Sequence, residues 1–165
     1  MKSKILDIQI NEKNFKILLI IGLGIIILCC MAIYLEIGTL VNYNISDNIK
    51  LDNNKDIEYY IEQVVTGRKY IQISGWAYKK NKNINYFNNK FIIQNQDTQE
   101  YKSLHTQMNY IEEFNLINDK YDCKRAGMFA KSIAVNLKKG LYKIFIEYKN
   151  DGENILVDTG IFFNN

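Results

Sequence analysis

The sequence predicts an all-β protein: a single β-sandwich, immunoglobulin-like and of about seven or eight strands, behind one N-terminal transmembrane helix. Residues 17–35 carry no charge and are almost all large aliphatic side chains with a few small ones. Beyond them, apolar and polar side chains alternate in several short runs, which is the pattern of half-buried strands. Turn-forming residues such as Gly and Asn separate these runs, and this arrangement is typical of a sandwich.

The apolar segment 17–35 is long enough to cross a membrane. As a helix it extends about 28 Å, close to the thickness of the hydrocarbon core. Four lysines precede it, namely Lys2, Lys4, Lys13 and Lys16. Glu36 follows it, and the next basic residue is Lys50. Because Lys and Arg beside a span stay in the cytoplasm, we expect the N-terminus inside and the C-terminal domain outside the cytoplasm.

A cleaved signal peptide begins in the same way and is the alternative interpretation. Its apolar region runs for about 7–15 residues and ends in a small-x-small cleavage site. Here the apolar run is longer, and residues 31–35 read Met-Ala-Ile-Tyr-Leu, with bulky side chains where small ones are required. The sequence therefore predicts a single-pass signal anchor that is not cleaved. Cys29 and Cys30 lack the small preceding residue of a bacterial lipobox.

The predicted organisation has four regions. Residues 1–16 are a cytoplasmic tail and residues 17–35 the anchor. Residues 36–56 are polar without a sustained period, which indicates a juxtamembrane stalk. Residues 57–165 form the sandwich. The part after the anchor is long enough for one domain with its own core, but not for two.

Eight runs are expected to be strands: 57–62, 70–78, 91–94, 101–106, 133–137, 142–148, 155–157 and 161–163. The run 142–148 alternates most cleanly, so Tyr142, Ile144, Ile146 and Tyr148 are expected in the core. Phe145 then points outward, where it is a candidate partner contact. Asn-Asp-Gly at 150–152 predicts a hairpin turn.

Residues 109–117 break the period of two. Asn109 is a good helix N-cap, and Glu112 stands three residues later, where it can return the hydrogen bond. This spacing predicts one or two helical turns.

Composition excludes several classes of function. The chain is 13% aromatic and 24% charged and contains no Pro, which is typical of a globular domain. Setting aside the four lysines and two acids of the tail leaves 17 Lys and Arg against 16 Asp and Glu. An outer domain so close to neutral gives no electrostatic case for nucleic acid. The frequent Asn, Ile, Lys and Tyr codons suggest an AT-rich bacterial genome.

Residues with catalytic or metal-binding chemistry are sparse. His105 is the one histidine. A metal site with several His ligands is therefore excluded, and a Ser-His-Asp triad would have to use His105. Cys123 is the one cysteine after residue 30, and it is expected either to be buried or to form an intermolecular disulfide, burial being favoured. We predict no catalytic residue, no metal ligand and no cofactor, and hence that the chain is not an enzyme.

Aromatic side chains provide the remaining candidates for binding. Trp76, Tyr78, Tyr86 and Phe87 could form a platform on which sugar rings stack. The alternative, which we favour, is that Trp76 packs in the core or at the edge of the sandwich, as a sole Trp often does.

Four short motifs, in order, resemble a family of bacterial β-sandwich domains that accompany cell-surface glycosyltransferases and other envelope-polysaccharide proteins. They are Ile-Ser-Gly-Trp-Ala at 73–77, a capped turn ending in Phe at 109–114, Ala-Gly-Met-Phe leading into a strand at 126–129, and Leu-Lys-Lys-Gly-Leu-Tyr at 137–142. Three positions depart from the family pattern: Gln107, Asn109 and Met128 stand where the family has Arg, Asp and Phe. The resemblance covers residues 57–163 and implies a fold and an envelope setting, without an activity.

The expected function is that of a non-catalytic module, anchored in the cell membrane, that binds a protein or glycan partner at the bacterial envelope. The alternative is a structural or accessory subunit of a membrane complex, for example one for envelope-polysaccharide assembly. A polar outer surface would favour the first interpretation, and a large exposed apolar patch the second.

Overall fold

The computed structural model describes residues 11–45, 49–52, 56–85, 88–111, 123–134 and 137–165. The chain divides into two units, Met1–Ile37 and Gly38–Asn165. Helix α1, Glu12–Gly38, contains the predicted anchor. It is long and apolar enough to cross a membrane, a property that signal sequences share. Its large apolar side chains are exposed, Ile20 at 70%, as lipid-facing residues would be.

Ten strands follow the helix in the described part of the chain. They are β1 Val41–Asn42, β2 Lys50–Asp52, β3 Ile57–Gly67, β4 Tyr70–Lys79, β5 Lys90–Asn95, β6 Tyr101–Ser103, β7 Thr106–Asn109, β8 Gly127–Ile133, β9 Leu141–Asn150 and β10 Glu153–Asn164. A 3-10 turn, Lys124–Ala126, leads into β8.

The strands form two sheets. The larger has the order β1-β6-β5-β9-β10-β2, and the smaller has the order β3-β4-β8-β7. Neighbouring strands are antiparallel except β2, which runs parallel to β10. The prediction of a β-sandwich behind one N-terminal apolar helix is confirmed.

The main core lies between the two sheets. From β9 it takes Tyr142, Ile144, Ile146 and Tyr148, all at most 2% exposed. The predicted core face of this strand is therefore confirmed. From β4 the core takes Ile71, Ile73 and Ala77, each fully buried. The alternate residues of β4 consequently point away from the core, on the outer face of the smaller sheet.

Within residues 36–56, which we predicted to be a juxtamembrane stalk, the structure has two strands of the larger sheet. Strand β1 pairs with β6 at one edge of that sheet, and β2 pairs with β10 at the other. Between these two strands in the sequence, the structure describes residues 43–45 and 49, called the strap below. Such short edge strands contain too few residues to show a period.

The strap explains why the prediction for Phe145 is wrong. Phe145 is only 5% exposed, in a second cluster with Ile92 and Leu156. Partly buried apolar residues of the strap pack against this cluster, namely Tyr43, Ile45 and Ile49. The outer face of β9 is therefore covered by the chain itself, and Phe145 is not a free partner contact.

Three other expectations are revised. The strand predicted at 133–137 lies earlier, since β8 ends at Ile133. Asn109 ends strand β7 and pairs with Gly127, so no helix begins there. The rest of the predicted helical turn, from residue 112 on, lies outside the described residues. The two predicted final strands are one, β10, with an irregularity between Asp158 and Phe162.

The hairpin predicted at 150–152 joins β9 to β10. Asp151 and Gly152 have φ angles of 49° and 79°. Two successive positive φ angles are those of a type I′ turn, which matches the twist of the strands on either side.

Candidate ligand-binding face

The Gly-Trp-Ala motif lies on β4, and each of its residues has a distinct position. Ala77 is fully buried in the main core. A Cβ atom at Gly75 would lie 2.2 Å from the carbonyl oxygen of Tyr60 on β3. Only glycine fits this close approach of two backbones. Trp76 points to the opposite side, onto the outer face of the smaller sheet.

Trp76 stands between two tyrosine rings. Tyr60 pairs with it across β3 and β4, with ring centroids 6.2 Å apart and ring planes at 37°. Tyr78 lies two residues further along β4, at 5.6 Å and 28°. Tyr60 is 57% exposed, whereas Tyr78 is 7% exposed. The three rings form a short row that opens to solvent at the Tyr60 end.

The buried end of the row is held by a charged group. The Tyr78 hydroxyl donates to the Glu58 carboxylate, and Lys80 forms an ion pair with Glu58 at 2.9 Å. Burial, followed by the nearby Glu58 charge, raises the pKa of Tyr78 to about 12. The hydrogen bond from Tyr78, and then Lys80, lowers the pKa of Glu58. Tyr78 therefore stays a neutral hydrogen-bond donor at physiological pH.

A third apolar cluster, distinct from the main core and from the Phe145 cluster, packs against Trp76. Its buried members are Tyr78, Ile84, Cys123 and Ala126, and Trp76 and Ile111 pack against them. Gly127 lies directly across from Trp76 on β8. A Cβ at Gly127 would lie 2.9 Å from the Ile111 side chain, so the absence of a side chain there leaves room for Ile111 beside the Trp76 ring.

Polar side chains continue the same face toward β7. Gln63 pairs with Ser74, Ser74 with Phe129, and Phe129 with Gln107. Paired residues point to the same side of a sheet, and Ser74 shares the Trp76 side of β4. We call the resulting surface the aromatic face, defined by Tyr60, Gln63, Ser74, Trp76, Gln107 and Phe129.

The aromatic face combines two kinds of group that recognise sugars. An aromatic ring offers an apolar surface for the C–H face of a pyranose, and Tyr adds a hydroxyl. Amide and hydroxyl side chains such as Gln63, Ser74 and Gln107 both donate and accept hydrogen bonds. The geometry therefore suits a neutral, polyhydroxylated ligand lying flat on the sheet.

The structure brings together only part of the predicted set. Trp76 belongs to the aromatic face. Tyr78 lies beside Trp76, at the buried end of the row of rings. Trp76 lies outside the main core and packs against the smaller cluster of Tyr78, Ile84, Cys123 and Ala126. Tyr86 and Phe87 lie outside the described residues. Phe145 belongs to the other sheet, beneath the strap.

Tyr60 and Phe129 are members of the face that the sequence did not single out. Tyr60 lies on the polar side of the predicted strand 57–62, so the alternation in the sequence could have indicated that its ring is exposed. Its proximity to Trp76 depends on strand register, which a β-bulge between Ile61 and Gln63 shifts. Phe129 lies in an apolar run in which no alternation marks the outer face.

Other chemically interesting residues lie elsewhere. His105 is exposed, and Cys123 is 2% exposed, so the structure buries its thiol. Within the described residues, no group of three or more His, Cys, Asp or Glu is placed to hold a metal ion. Two surface depressions of about 500 and 570 Å³ are lined by other residues than those of the aromatic face.

Comparisons with protein families, curated proteins and solved structures find no match to this chain.

Proposed function

We propose that this chain is a non-catalytic glycan-binding module, anchored in the cell membrane by α1 and held on the extracytoplasmic side of a bacterial envelope. The anchor retains the sandwich at the membrane surface, and the aromatic face binds a neutral segment of an envelope glycan. Binding consists of stacking on Tyr60 and Trp76, with hydrogen bonds from the flanking amides.

The pairing of Tyr60 with Trp76 carries this proposal. A ring that serves only the core is normally buried, yet Tyr60 is 57% exposed beside a Trp in a face lined by Gln and Ser. Exposed apolar patches that polar residues surround mark binding sites, and Trp and Tyr are enriched among the residues that dominate binding energy. Amides favour a glycan over an apolar protein surface, because sugar hydroxyls satisfy both their donors and their acceptors.

The resemblance of residues 57–163 to envelope-polysaccharide domains supports the same setting. The lysines before the anchor support the outward orientation of the sandwich.

The sole Trp of the chain makes this function directly testable. Because the sequence contains one Trp, intrinsic fluorescence excited at the indole reports on Trp76 alone. We expect soluble oligosaccharide fragments of peptidoglycan and of capsular polysaccharide, titrated into the full chain in detergent, to include one that changes this fluorescence saturably. Tyr60→Ala should weaken its binding by roughly fivefold, the effect of losing about 1 kcal/mol of aromatic stacking.

Tyr70→Ala is the matched control. Tyr70 is exposed on the same strand as Trp76, but it lies six residues away and pairs with Gly67 instead of Tyr60. It should leave the affinity unchanged. Equal effects of the two substitutions, or no saturable change with any fragment, would contradict glycan binding at this face. If the chain instead co-purified with a membrane protein and Tyr60→Ala abolished this co-purification, the result would favour the accessory subunit of a membrane complex.

A further inference from the structure

One end of the sandwich carries a group of exposed basic side chains. Arg68 and Lys69 form the turn between β3 and β4, Lys139 lies in the turn before β9, and Lys131 lies near the end of β8. All four are exposed. We call this group the basic end.

The turns of the basic end are in contact. The backbone N–H of Ala134 donates to the carbonyl of Lys69 at 2.9 Å. A depression of about 570 Å³ lies between them, lined by Thr66, Gly67, Arg68, Ala134, Leu137, Lys139 and Asn165. Arg68 and Lys139 thus line one shared concavity, and Lys69 is joined to its rim by the hydrogen bond to Ala134.

The positive charge of this end is not neutralised within the described chain. Arg68, Lys69, Lys131 and Lys139 form no ion pair among the described residues. Two acids lie by the turn that contains Lys139: Asp97 is beside Gly140, and Glu100 pairs with Lys138 at 3.3 Å.

Three lysines at the opposite end are paired. Lys79 and Lys82 both contact Glu153 at 2.9 Å, and Lys80 contacts Glu58. These three lysines therefore have carboxylate partners, unlike the four residues of the basic end.

Apolar and aromatic side chains are exposed beside these charges. Tyr70 and Leu141 are each 40% exposed, and the Lys131 ammonium lies 5.4 Å from the centre of the Tyr70 ring. A tyrosine with basic neighbours is typical of protein surfaces at the lipid headgroup level.

The chain reaches the sandwich at this same end. Thr39 forms an isolated bridge with Ile133, and Ile133 pairs with Tyr70. Helix α1 ends at Gly38, so Thr39 is the first residue after the helix that carries the predicted span. Attraction between basic side chains and an anionic surface acts over about 8 Å at physiological ionic strength.

We propose that the basic end binds anionic phospholipid headgroups, so that the sandwich is docked on its own membrane instead of moving freely on a tether. This proposal rests on the membrane anchoring of α1.

The test uses the full chain in nanodiscs of phosphatidylcholine alone or mixed with phosphatidylglycerol. We expect backbone amides of residues 66–70 to exchange hydrogen about tenfold more slowly in the anionic discs, because docking excludes water from the turn. High salt should reverse this protection, since it screens the attraction. The hairpin turn at 150–152, at the opposite end, should exchange equally in both discs.

A variant without the four basic charges tests whether they cause the protection. Each basic residue near an anionic surface favours docking by roughly fivefold. Replacing all four (Arg68→Gln, Lys69→Gln, Lys131→Gln and Lys139→Gln) should therefore abolish the protection. Lys80→Gln with Lys82→Gln, at the opposite end, is the control and should leave it intact.

Failure of docking can be distinguished from failure of membrane anchoring. A chain that enters the discs but exchanges equally in both lipids would overturn docking while leaving the anchor in place. A chain that does not enter the discs would overturn the anchoring and, with it, the docking.

Discussion

Neighbouring side chains on β9 are buried in different places. Ile144 is fully buried between the sheets, and Phe145 is 5% exposed beneath the strap. The alternation of the sequence predicted the first position correctly. It placed Phe145 in solvent because nothing in the sequence pattern shows that Tyr43, Ile45 and Ile49 pack on the outer face of the sheet.

Both residues should consequently be important for stability. We expect Ile144→Ala and Phe145→Ala each to lower the free energy of unfolding by about 2–5 kcal/mol, because each removes a buried side chain and leaves a cavity. Urea unfolding of the full chain in detergent measures the effect. Leu141→Ala, on the same strand but 40% exposed, should cost much less. A mild Phe145→Ala would show that the strap does not cover this face in solution.

Gly75 gives a sharper test of the Gly-Trp-Ala motif. A methyl group there would lie 2.2 Å from the Tyr60 carbonyl oxygen, so β3 and β4 must separate. We expect Gly75→Ala to destabilise the fold by about 1–3 kcal/mol, as overpacking commonly does, and to alter Trp76 fluorescence. Ser74→Ala, one residue earlier on the outer face, is the control. Equal melting temperatures for the two variants would exclude the steric role of Gly75.

At the scale of elements, long strands were predictable and short or irregular ones were not. β4 and β9 alternate cleanly over most of their length. β10 was predicted as two strands because Asp-Thr-Gly at 158–160 interrupts the alternation, yet Gly160, at a φ of 66°, allows a bulge within one strand. β1 and β2 depend on long-range pairing, which a local pattern cannot show. The aromatic face likewise depends on register between four strands.

An ion-pair cluster connects the loop after β4 to the hairpin of β10. Glu153 accepts from Lys79 and Lys82 at 2.9 Å, and Lys79, followed by Lys82, lowers its pKa below the usual 4.5. A carboxyl group whose pKa is lower in the folded state stabilises the fold above its unfolded pKa. This stabilisation is lost as the pH falls through the folded value.

Glu153→Gln should therefore reduce stability at neutral pH and have progressively less effect below about pH 4.5. Urea unfolding at a series of pH values measures the difference between variant and parent. Glu62→Gln, at an exposed position of β3, serves as the control. A difference between parent and Glu153→Gln that stays constant down to pH 2 would show that the ion pairs do not stabilise the fold.

At the scale of the whole molecule, composition and periodicity were sufficient to predict an apolar helix followed by a sandwich. The hydrophobic effect sets both patterns: a continuous apolar run where all sides of a helix avoid water, and alternation where only one side of a strand does. Neither pattern identifies a ligand. The proposed function depends instead on which exposed side chains the sheet brings together, above all Tyr60 and Trp76.

The orientation of the chain in the membrane is the claim on which both proposals depend. It is tested by placing one epitope tag before Met1 and another after Asn165 and adding protease to intact spheroplasts. We expect the C-terminal tag to be digested and the N-terminal tag to survive until the membrane is permeabilised, because the lysines at 2, 4, 13 and 16 stay inside. Loss of the N-terminal tag with survival of the C-terminal one would reverse the orientation. A mature chain that has lost the N-terminal tag and is released from the membrane would show that α1 is a cleaved signal sequence.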